Sequence, residues 1–88
     1  MTGESISSTM DLFLRDISVQ GRSDNTAVNY AVDLSQFADY LAGMGVETPG
    51  GIGVSHVRGF LRDVVGFGYA RSSAARKLSA VKSWLRFL

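Results

Sequence analysis

The residues of this 88-residue chain whose types and spacing could do chemistry are cations interleaved with hydroxyls near its C-terminal end. Ser72, Arg76, Ser79, Lys82, Ser83 and Arg86 share one side of a helix, with Arg76, Ser79, Ser83 and Arg86 at i, i+3, i+7 and i+10. Such a surface suits a polyanion. Arg and Lys neutralise phosphates or reach base edges, and serines let a helix approach closely while donating hydrogen bonds. No acidic residue follows Asp63, whereas a face that merely keeps a helix soluble mixes both signs. The formal net charge of +1 hides a split: residues 1–57 hold two basic and seven acidic residues, residues 58–88 seven basic and one acidic. That asymmetry points to a polyanionic partner for the basic end.

A weaker set lies upstream. Asn25, Asn29, Val32 and Gln36 face away from the apolar stripe of their helix. Asn and Gln can pair bidentately with adenine, although they are also ordinary surface residues.

Other chemistries find little support. With no cysteine and a single histidine, His56, the chain offers neither disulfides nor a zinc site. His56 has no Cys, Asp or Glu in an obvious partner position and reads as an exposed residue at a helix start. Asp33 and Asp39, six apart, fall roughly 120° from each other around a helix and make no carboxylate pair. Tyr30, Tyr40 and Tyr69 read as packing residues. The glycine-rich stretch Gly43–Gly53 contains neither G-x-x-x-x-G-K-[ST] nor G-x-G-x-x-G and follows no strand, so it reads as a loop. No catalytic residue, metal ligand, cofactor or small-molecule ligand is expected. No apolar run approaches a membrane span and the N-terminus lacks a signal-peptide pattern, so a soluble, cytoplasmic protein without membrane contact is expected.

The elements that must position these residues are four amphipathic helices. The first, capped near Ser8, carries Met10, Phe13, Leu14 and Ile17 at helical spacing and runs to about Val19, with Gly21 ending it. Ser23 caps the second, whose stripe is Ala27, Tyr30, Ala31, Leu34, Phe37, Ala38 and Leu41, with Gly43 as its stop. The third begins near Gly53–Ser55 and buries Val57, Phe60, Leu61, Val64 and Val65, leaving Arg58 and Arg62 on an exposed edge. The fourth starts around Ala70–Ser73 with a stripe of Ala74, Leu78, Val81, Leu85 and Leu88. The reading is an all-α domain, a compact four-helix bundle over residues 8–88 preceded by a flexible N-terminus at 1–7.

Two stretches carry a family resemblance. Ser23-x-x-Thr26-x-x-x-Tyr30-x-x-Asp33-Leu34-x-x-Phe37-x-x-Tyr40-Leu41 resembles the second helix, and Arg76-Lys77-Leu78-Ser79-Ala80-Val81-Lys82-Ser83-Trp84-Leu85-Arg86-Phe87-Leu88 the fourth, of the core-binding (SAM-like) domain of tyrosine recombinases of the Xer and phage-integrase type. The resemblance covers residues 8–88. It implies a SAM-like orthogonal bundle that clamps one side of duplex recombination-site DNA through helices 2 and 4, in DNA recombination and integration. The implied DNA-binding residues are Asn25, Thr26 and Asn29 from helix 2 and Arg71, Ser72, Arg76, Ser79, Lys82, Ser83 and Arg86 from helix 4. Other recombinase protomers on adjacent half-sites are implied partners, often through the first helix. Ala31 and Val32 stand where relatives are often basic, which shifts electrostatic weight onto helix 4. The family's catalytic arginines, histidine and nucleophilic tyrosine belong to a C-terminal domain, so this chain is not expected to cleave DNA alone, and a fragment of a longer recombinase is expected. The rival reading is a helical protein-interaction module without a DNA role, binding through Val28, Val32 and Phe87.

Overall fold

Each apolar stripe folds as a helix because it cannot be buried in any other way at that spacing. The computed structural model describes residues 5–19, 21 and 24–88, with helices α1 (Ile6–Val19), α2 (Asp24–Gly43), α3 (Val54–Gly66) and α4 (Arg71–Phe87) and a short 3-10 turn, Pro49–Gly51. The fold is all-α, and no strand occurs among the described residues. The central element is α2, the longest helix. It packs against α1, α3 and α4, while α4 also closes on α1 and α3. The bundle is broad and thin, about 34 × 33 × 17 Å.

Local signals set the helix ends, some of them away from the expected positions. Helix α1 starts at Ile6, ahead of the expected Ser8 cap, because the Ser5 hydroxyl accepts the Ser8 backbone N–H at 3.1 Å and the buried Ile6 joins the core. The Ser23 cap lies outside the described residues. Helix α2 ends at Gly43, the expected stop, and the turn that follows closes it. Gly45, at φ +77°, lets Val46 N–H reach Leu41 C=O and Gly45 N–H reach Ala42 C=O. The same arrangement closes α3: Gly68, at φ +91°, directs Tyr69 N–H to Val64 C=O and its own N–H to Val65 C=O. At the start of α3, His56 Nδ1 accepts the Gly53 backbone N–H at 2.9 Å. His56 thus satisfies an orphan donor and is half-buried, more than the exposed helix-start residue the sequence suggested.

The core holds Met10, Phe13 and Ile17 of α1, Leu34, Phe37 and Leu41 of α2, Phe60 and Val64 of α3, and Ala80, Val81 and Trp84 of α4. Phe37 is its hub, edge-on to Trp84 at 6.3 Å between ring centroids and tilted against Phe60 at 5.0 Å. Two expected stripes shift. Val65 is exposed, because α3 presents only the Phe60–Val64 side inward. On α4 the buried line is Lys77, Ala80, Val81 and Trp84, rotated by about one position from the expected one. Ala74, Leu78 and Leu85 flank it and Leu88 is exposed. The reason for the rotation is that Lys77 occupies a core position, which only a buried counter-charge makes tolerable.

Candidate nucleic-acid interface

That counter-charge is Asp33. It sits on α2 between Tyr30 and Phe37, on the core side, and is completely buried. Arg76 grips its carboxylate with two bonds, Nε donating to Oδ2 and a terminal guanidinium N–H to Oδ1, each at 2.9 Å. Lys77 Nζ donates to Oδ1 at 2.9 Å and to Gln36 Oε1 at 2.5 Å. Gln36 in turn donates to the Tyr69 hydroxyl at 3.1 Å, and the Lys77 ammonium stands 4.8 Å over the centre of the Tyr69 ring. A buried carboxylate is thus met by two cations, one of them itself buried, and the amide and phenol take up what remains. The hydrogen bond to Asp33 holds the Arg76 pKa above its ordinary value, against the smaller opposing effect of desolvation, with Coulomb attraction to the same carboxylate adding to the rise. Arg76 is therefore cationic wherever the protein is folded.

This cluster fastens α4 to α2 and fixes which side of α4 faces outward. The outer strip carries Arg71, Ser72, Ser79, Lys82 and Arg86, all exposed. Arg76 and Ser83 lie on its flank, half-buried, and the Arg76 side chain keeps 38% of its surface in solvent. Two of its five N–H donors are held by Asp33, and the others are free of Asp33. Arg71, Lys82 and Arg86 form no ion pair among the described residues. Their positive charge meets no carboxylate among the described residues, whereas Arg76 shares the single Asp33 carboxylate with Lys77, so that the trio keeps one net positive charge.

The upstream set is placed by the N-terminal half of α2. Asn25 is exposed, and Thr26 and Asn29 are half-buried. The exposed valines Val28 and Val32 share this helix with them. None of the ten candidate residues is buried, so each is within reach of a partner. Asn25–Asn29 and the α4 strip belong to two helices that pack against each other.

Two residues central to this arrangement, Asp33 and Lys77, carry no site role in the sequence reading. Their signal is an acid and a base each at a core position of an apolar stripe, on two helices that pack together. A further unforeseen residue is Gly59, inside α3. A Cβ there would fall on Tyr40 Oη and within 3.1 Å of its Cζ, so the missing side chain is what lets Tyr40 lie against α3.

A small all-α domain with a basic helix face is the class that this fold and surface define. Comparison with known proteins is more specific. Residues 10–88 match the family described as phage integrase, N-terminal SAM-like domain, and the chain belongs to that family, in its Xer-type branch. Its relatives include tyrosine recombinase XerD of Shewanella oneidensis, 38% identical over 80 residues, covering 90% of this chain and 26% of that protein. Tyrosine recombinase XerC of Chlorobaculum tepidum is 36% identical over 77 residues, covering 81% of this chain and 23% of that one. Tyrosine recombinase XerC of Halalkalibacterium halodurans is 33% identical over 69 residues, covering 78% and 23%. The chain therefore spans about a quarter of the length of the relatives it matches. No solved structure matches. No helix among the described residues is long and apolar enough to cross a membrane.

Proposed function

We propose that this domain is a DNA-binding module of a tyrosine site-specific recombinase, holding duplex DNA against α2 and α4 while residues outside this chain break and rejoin strands. The observation that carries the reading is the outer strip of α4. Arg71, Lys82 and Arg86 stand there in solvent without a carboxylate partner among the described residues, beside the small hydroxyls Ser72 and Ser79. Such cations spread along one helix face need no partner for the fold, whereas a phosphate backbone converts them into charge-assisted bonds and releases counterions. The serines let the duplex come close. Asn25, Thr26 and Asn29 of α2 supply further polar contacts, with Arg76 and Ser83 at the margin of the strip. Neighbouring recombinase protomers on adjacent half-sites are the protein partners in this reading, and the domain takes part in recombination by positioning, with no catalytic residue of its own.

The test is an amide-shift titration of the isotope-labelled chain with a generic duplex at two salt concentrations. Shifts concentrated on residues 71–86 and around Asn25–Asn29, weakening as salt rises, are expected. A folded protein that gives no shifts at low salt, or shifts centred on Arg58 and Arg62 instead, would overturn the reading.

A further inference from the structure

The outer face of the α2–α3 pair carries a feature that DNA binding does not use. An open cleft of about 630 Å³ lies between the C-terminal half of α2, α3 and the turn that follows it. Its walls are aromatic, from Tyr40, Phe60, Phe67 and Tyr69, and Asp39 and Asp63 stand on its lining from facing helices. We infer that this cleft is a docking site for a cationic peptide segment of a partner protein, an arginine or lysine flanked by apolar residues.

Three observations support the inference. First, the walls formed by Tyr40, Phe60 and Tyr69 are held in place without any occupant. Tyr40 stacks on Phe37 with ring planes 9° apart, contacts Phe60 at 5.9 Å and lies over Gly59. Tyr69 is fixed by the Gln36 hydrogen bond and by Lys77 over its ring. A preformed aromatic site spares an incoming segment much of the ordering cost of binding. Second, aromatic surface is left in water: Phe67 is 82% exposed and Tyr69 43%. Third, the two carboxylates are exposed and have no cation or hydrogen-bond partner for their side chains among the described residues. No cation stands in the cleft's lining among the described residues, and Lys77, which stands over the Tyr69 ring, is already bonded to Asp33 and Gln36.

These features together select the charge of the occupant. A guanidinium stacks on tyrosine and phenylalanine faces and forks onto carboxylates, and an ammonium does the same less directionally. A neighbouring apolar side chain on the peptide would cover Phe67. Two unpaired carboxylates repel a phosphate backbone, so the cleft is set against a nucleic-acid occupant by sign. The volume lies within the range of sites that take one or two side chains or a small ligand.

The experiment uses the whole 88-residue chain and two capped peptides, acetyl-Leu-Arg-Leu-Arg-Leu-amide and its counterpart with Gln for both Arg. The expected result is amide shifts centred on Asp39, Asp63 and Tyr69 with the arginine peptide. The glutamine peptide and the Asp39→Asn/Asp63→Asn variant should each reduce the affinity by about three- to tenfold. Both aspartates are exposed, so the variant keeps its fold, which an unchanged spectrum away from the cleft verifies. Equal affinity for the two peptides, undiminished binding by the double variant, or shifts at the cleft with a DNA duplex but not with the arginine peptide would each overturn the inference.

Discussion

The two sides of α4 use the same residue types for opposite ends. On the inner side, Lys77 and, at the edge, Arg76 converge on the buried carboxylate of Asp33, and their charge is spent on holding α4 against α2. On the outer side, Arg71, Lys82 and Arg86 are exposed and meet no carboxylate among the described residues. The difference teaches that a count of cations along a helix does not measure a binding surface. Burial and counter-charge decide which cations belong to the fold. The inner cluster also makes the outer strip possible, because it sets the rotation of α4 about its own axis.

Substitutions that separate the two sides should differ most in stability. Asp33→Asn leaves Lys77 buried without a counter-charge, and a loss of about 3–5 kcal/mol is expected from denaturant unfolding. A loss below 1 kcal/mol would mean that the inner cluster does not anchor the helix. Gly59→Ala probes the α2–α3 seam beside it. The added methyl collides with Tyr40, so a cost of about 1–3 kcal/mol is expected, and much of it should vanish in Tyr40→Phe, which lacks the colliding oxygen. Equal costs in both backgrounds would contradict that contact. His56→Ala removes the acceptor for Gly53 N–H at the start of α3, and about 0.5–1 kcal/mol should be lost in the same measurement. At the other extreme, Lys82→Ala and Arg86→Ala should leave stability within about 0.5 kcal/mol, because both side chains are exposed and neither is paired among the described residues.

Much of this architecture was legible in the residues. The spacing of Met10, Phe13 and Ile17 gave α1 its buried side, and Leu34, Phe37 and Leu41 did the same for α2, because aliphatic and aromatic side chains at helical spacing have one way to leave water. The outer strip of α4 was equally visible as Ser72, Ser79, Lys82 and Arg86. The rotation of α4 was hidden, since a stripe drawn through apolar residues alone passes over Lys77 and settles on Leu78, Leu85 and Leu88. Hydropathy assigns a lysine to solvent, and only the presence of Asp33 across the interface reverses that. Asp33 and Arg76 lie 43 residues apart, so no local pattern links them. Gly59 was opaque for a related reason: the side chain that requires it, Tyr40, belongs to another helix. The cleft beside it depends on three segments at once and left no periodic trace.

The measurement that tests the division of α4 most directly is the salt dependence of duplex affinity for Arg86→Ala beside Arg76→Ala. A free cation on phosphate contributes about one unit to the log–log slope. Arg86→Ala is predicted to weaken binding and lower the slope by about one unit, and Arg76→Ala, whose side chain is half-buried and held by two bonds to Asp33, to lower it by less. An unchanged slope in Arg86→Ala, or a larger fall in Arg76→Ala than in Arg86→Ala, would contradict the account.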